Sequence, residues 1–178
     1  NDKYNMRFVS SQDFIKNGTY WDYLSIRGIR VGVFNHPMLY PPYEINGFMV
    51  SGLGSSSTKF TYPEDLSLKL EEVTGGYEEL VSYTDTKYCD SKELFIEDLK
   101  RVLNKRTKAI EYCLNSWDLD LAVIIFQESD FLQHFMWEDW QNTESKFHEK
   151  FIEIWELLDQ AIGRLRELVV SSSNIMIL

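Results

Sequence analysis

The chain has 178 residues, of which 44% are hydrophobic and 15% aromatic; that is enough for a real core and excludes a disordered segment. The formal net charge is −10, and the longest basic cluster, Lys105-Arg106-Thr107-Lys108, lies inside a helical pattern, which excludes non-specific nucleic-acid binding by charge. An acidic chain that handled anionic phosphates would need metal ions to supply positive charge.

In chain order, Thr19-Tyr20-Trp21-Asp22 reads as a capping box, with Gly28 stopping the short helix after it. Ile29 to Phe34 reads as a strand, followed by the proline-punctuated loop His36 to Tyr43 and a short strand over Gly47 to Gly52. Gly54 to Lys59 is a Ser-rich loop without the GxxxxGK[ST] pattern of a phosphate cradle. Thr61-Tyr62-Pro63-Glu64 reads as a second capping box, opening a helix that runs to about Val73 and ends at Gly75-Gly76. Tyr77 to Tyr83 is a candidate strand. A long helix follows Asp90, with Leu94, Phe95, Leu99, Val102, Leu103, Ala109, Ile110 and Cys113 on its apolar side.

The apolar run Leu121 to Phe126 reads as a buried strand leading into a helix that carries Asp130 and His134. The stripe Phe147, Phe151, Ile154, Leu158, Ala161, Leu165, Leu168 marks an amphipathic helix from about Ser145 to Leu168. Ser171 to Ser173 breaks it, and Asn174 to Leu178 reads as a last strand, expected beside or near Leu121 to Phe126. Alternation of strand and helix predicts an α/β fold: a single domain over residues 1–178 with a mainly parallel sheet flanked by helices.

No apolar run reaches the roughly 18 residues of a membrane span and no signal-peptide pattern opens the chain, so no membrane partner and a cytoplasmic location are expected. Cys89 and Cys113 lack a CxxC arrangement and read as free thiols. The start on Asn1 and the apolar ending Ile175-Met176-Ile177-Leu178 are those expected of an excised piece of a longer protein.

Chemistry concentrates in Ser129-Asp130-Phe131-Leu132-Gln133-His134-Phe135-Met136-Trp137. On a helix, the i, i+4 spacing puts Asp130 and His134 on one face, where a carboxylate and an imidazole can hold one divalent metal. The end of a strand in an open α/β sheet is also where ligands bind. The structural alternative is a helix start in which Asp130 favours the dipole and His134 is half buried.

Several segments together resemble the type I phosphodiesterase/nucleotide pyrophosphatase family of the alkaline phosphatase superfamily, in its microbial branch of predicted phosphohydrolases. They are Thr19 to Leu24, Arg27 to Val33, Pro37 to Pro42, Asn46 to Gly52, Trp117-Asp118-Leu119, Ser129 to Trp137 and Leu158 to Leu165. The resemblance implies a partial alkaline-phosphatase-like core and two divalent metals, zinc above all, over a Thr or Ser nucleophile. Asp130 and His134 match its Asp-x-x-x-His motif, which supplies two ligands of one metal. It also implies a small phosphodiester or nucleotide substrate.

In that family the nucleophile and one metal-binding Asp precede the region matched here, and an adjacent Asp-His pair follows a strand like Asn174 to Leu178. The nucleophile is therefore expected outside this chain, the chain alone is expected to be inactive, and metal is expected to bind it weakly. Sulfatase or phosphomutase chemistry and a non-catalytic binding domain are the alternatives.

His36, in a loop after a strand end, is a candidate substrate contact. Ser55 to Ser57 and Thr58 adjoin no metal motif and are weak nucleophile candidates. His148 reads as solvated, Glu128 and Asp139 as surface charge, the alternative being carboxylates that support His134, and Trp137 and Trp140 as core aromatics.

Overall fold

A computed structural model describes residues 10–11, 13, 18–53, 59–79, 85–88, 90–169 and 173–177. The chain is α/β, with a four-stranded, mainly parallel sheet. Its contacts form two compact units, residues 1–68 with 119–125, and residues 69–118 with 126–178.

The first unit holds α1 (Tyr20–Ser25) and strands β1 (Val31–His36), β2 (Gly47–Ser51), β3 (Thr61–Tyr62) and β4 (Leu121–Ile124). Helix α1 starts where expected. Thr19 Oγ1 accepts from Asp22 N at 3.2 Å while Asp22 Oδ2 accepts from Thr19 N at 2.7 Å, so both arms of the capping box form. The sheet order is β3-β2-β1-β4: β1 runs parallel to β2 and β4, and β3 pairs antiparallel with β2.

Arg30 and Asp120 lock the β1–β4 register. Asp120 Oδ2 accepts from Arg30 N at 2.8 Å, and the carboxylate also takes both Nε and Nη2 of the guanidinium at 3.2 Å. Gly47 allows the close approach of β2 to β1: with φ at 146°, a Cβ there would lie 2.1 Å from the Val31 carbonyl oxygen. Trp21, Val31, Val33, Leu39, Ile45 and Met49 form this unit's core.

Four expectations change here. Thr61 opens no capping box: it pairs with Val50 in β3, and its hydroxyl donates to the Pro63 and Glu64 carbonyls, so α2 (Leu66–Thr74) begins later. β4 is not buried, because it lies at the end of the strand order and its residues are half-buried or exposed. Asn174 to Ile177 form no strand. Ile175, Met176 and Ile177 are exposed and lack a ladder partner among the described residues, and the expected pairing with β4 is not formed. Leu178 lies outside the described residues. Tyr77 to Glu79 form no strand either, and positions 80–83 are outside the described set.

The second unit is helical. α3 (Lys92–Ser116) is capped by Ser91 Oγ, which accepts from Leu94 N at 3.1 Å. α4 (Glu128–Gln141) and α5 (His148–Leu168) complete it. Phe95, Leu99 and Val102 of α3 meet Phe131, Leu132 and Met136 of α4 and Phe151 and Ile154 of α5 in one core. Leu94, expected on the apolar side, is exposed. Among the described residues no helix is long and apolar enough to cross a membrane.

Asp98 of α3 anchors a polar cluster, accepting from Lys87 Nζ at 2.9 Å, Tyr88 Oη at 2.8 Å and Arg101 Nη2 at 2.7 Å. Burial works to raise its pKa, but the three donors win and lower it to about 2. A carboxylate whose pKa falls on folding adds stability above its unfolded value, about 3.9, and loses it as pH drops through the folded value. Thermal stability is therefore expected to fall between about pH 4 and pH 2, with Asp98→Asn flattening that slope in melts across the range. An unchanged acid limb in Asp98→Asn would count against the cluster.

Candidate functional site

Helix α4 presents Asp130 and His134 because of what lies on its other side. Phe131, Leu132 and Met136 are buried and Phe135 packs beside them, an i, i+1, i+4, i+5 stripe. That stripe leaves positions 130 and 134 facing out, with side chains 64% and 57% exposed. Asp130 sits in the first helical turn, where the dipole favours a carboxylate. Met136 departs from helical geometry with φ −127° and ψ 16°, so the helix kinks just past His134.

His134 Nε2 and Asp130 Oδ1 are 3.4 Å apart. Zinc bonds of about 2.0 Å at a tetrahedral angle place two donors roughly 3.3 Å from each other. The donor types and their spacing thus fit two ligands of one ion. The same distance also suits an ion pair with a protonated imidazole. Among the described residues no group of three or more His, Cys, Asp or Glu side chains could hold a metal. The fit is to half of a four-ligand zinc site.

His36 ends β1 and is half-buried. Its Nδ1 lies 3.0 Å from the Pro37 carbonyl, and its ring meets Trp21 edge-on at 5.1 Å. Those contacts hold the ring in place at the end of β1. Ser55 to Ser57, Thr58 and Cys89 lie outside the described residues, while Cys113 is a buried free thiol whose pKa burial pushes up.

Glu128 and Asp139 are not surface charge. Asp139 is buried and accepts from Lys92 Nζ at 2.5 Å and Ser145 Oγ at 2.7 Å. Its carbonyl lies 3.3 Å from His148 Nδ1, so His148 is tied to the last turn of α4 rather than simply solvated. Glu128, 1% exposed, accepts from Nε of the fully buried Arg106 at 2.6 Å. Burial works against the Arg106 charge, and the Glu128 carboxylate outweighs it, so the guanidinium stays protonated. Trp137 and Trp140 are exposed and tilted against each other at 4.6 Å, not core.

Sequence reasoning missed Arg106. It stood only as a member of the basic cluster Lys105-Arg106-Thr107-Lys108, but the signal was there: it falls in the apolar register of Val102, Leu103, Ala109 and Ile110, all buried on α3.

No protein-family model, curated protein or solved structure matches this chain.

Proposed function

We propose that this chain supplies one metal-ligand pair of a metal-dependent phosphodiesterase or nucleotide pyrophosphatase, whose nucleophile and remaining ligands lie outside it. The observation that carries the reading is the outward Asp130–His134 pair, 3.4 Å apart on one helical face. The order of the motifs along the chain, which resembles that family, supports it.

Asp130 would give a carboxylate oxygen and His134 its Nε2. A divalent metal held there would polarise a phosphoryl oxygen or activate an oxygen nucleophile at neutral pH. The helix keeps the two donors together, so little side-chain entropy is lost when both engage. The net charge of −10 makes a metal the natural partner for an anionic phosphate.

The test is a zinc titration followed by the imidazole resonances of the chain's three histidines. His134 should shift with zinc while His36 and His148 do not, with millimolar rather than nanomolar affinity, since zinc sites use three or more protein ligands. Asp130→Ala should remove the response. A His134 signal that ignores zinc, or moves equally in Asp130→Ala, would overturn the reading.

A further inference from the structure

We propose that Arg106 is a positioning residue for the Asp130–His134 pair, an inference that rests on the metal reading above. The observations lie in the second unit alone. Arg106 of α3 is fully buried, and Glu128, the first residue of α4, is 1% exposed. Arg106 Nε donates to Glu128 Oε1 at 2.6 Å, and Arg106 Nη2 donates to the Glu79 backbone carbonyl. One side chain therefore joins three segments: the stretch after α2, the middle of α3 and the start of α4.

This is a costly way to fill a core. A buried charge pair loses solvation that its mutual attraction only partly restores, and apolar side chains of similar volume are often as stable or more so. Here the cost is raised further, because Arg106 Nη1 and Glu128 Oε2 are buried without a hydrogen-bond partner among the described residues. Stability does not account for the pair.

Direction does. An apolar contact permits sliding and rotation, whereas a short charged hydrogen bond between two buried groups fixes one register. The start of α4 needs such a fix, since its N-cap residue Gln127 makes no side-chain capping bond. An uncapped first turn leaves its N–H groups without a side-chain partner. Asp130 sits in that turn with an exposed side chain, so only the helical backbone keeps it on the face it shares with His134. The Arg106–Glu128 bond grips the turn two residues before Asp130 and holds it helical.

The test compares zinc binding, read from the His134 resonances, with thermal stability in two variants. Arg106→Met combined with Glu128→Leu replaces the pair by apolar groups. Arg106→Lys keeps the charge but cannot bridge Glu128 and the Glu79 carbonyl with one fork. Both are expected to need about tenfold more zinc than the wild-type chain, the scale of outer-sphere support to a metal ligand. The double variant should melt at or above the wild-type temperature. A merely structural pair predicts that zinc affinity returns whenever stability does.

Zinc affinity within about twofold of wild type in the folded double variant would overturn the proposal, a threshold set well inside the outer-sphere range. If the double variant does not fold, Arg106→Lys decides by the same criterion. Asp130→Ala separates the two levels. If it leaves the zinc response intact, the metal reading fails. If it abolishes the response while both Arg106 variants bind like wild type, only the role of Arg106 fails.

Discussion

Arg106→Met alone is expected to destabilise the chain by about 3–5 kcal/mol, the usual cost of stranding one partner of a buried ion pair. Methionine fills nearly the same space, so the loss is not a cavity effect. It comes from Glu128, which would be left buried with neither oxygen bonded to Arg106. A typical domain has about 5–15 kcal/mol in total, so the change should be plain in urea unfolding. Adding Glu128→Leu to Arg106→Met should restore most of it, because the stranded charge is then gone. A loss below about 1 kcal/mol in the single variant would place it among ordinary surface substitutions and show that the pair is not formed in solution.

Hydrophobic periodicity located α3 and α5, and α4 was placed as the helix that follows a strand; each buries a stripe against the others: Phe95 and Leu99, Phe131 and Leu132, Phe151 and Ile154. A stripe defined by apolar residues is blind to a charged residue within it, and Arg106 was hidden for that reason. Glu128 and Asp139 were hidden in the same way, since partner residues 22 and 47 positions away in sequence decide their burial.

The sheet was legible where local chemistry decided the outcome. Thr19 and Asp22 capped α1, and apolar runs gave β1, β2 and β4. What sequence could not supply was the position of each strand in the sheet. Leu121 to Ile124 has the composition of a central strand yet ends the strand order, and Ile175 to Ile177 has the composition of a strand without a ladder. Thr61 shows the same limit at smaller scale: a capping motif and an edge-strand residue look alike until Val50 is placed opposite. The Asp130–His134 pair was readable because an i, i+4 spacing on a helix is a local matter, set by Phe131, Leu132 and Met136 turning inward.

That locality sets the largest expected effect on function. On the proposed reading, Asp130→Ala or His134→Ala in a larger protein carrying this chain should each abolish metal-dependent hydrolysis of a nitrophenyl phosphodiester. The melting temperature should barely move. Both side chains are more than half exposed and neither packs in the core, so each substitution should cost within about 0.5 kcal/mol of stability. Their contribution to catalysis would be far larger, since losing one ligand of a catalytic metal removes the charge that stabilises the phosphoryl transition state. The chain by itself should be inert toward the same ester with zinc present, because two ligands without a nucleophile cannot align an in-line displacement. Robust zinc-dependent turnover by the isolated chain, lost in Asp130→Ala, would mean that these 178 residues hold a nucleophile of their own. Full activity of His134→Ala in the larger protein would return the pair to a surface ion pair at the start of a helix.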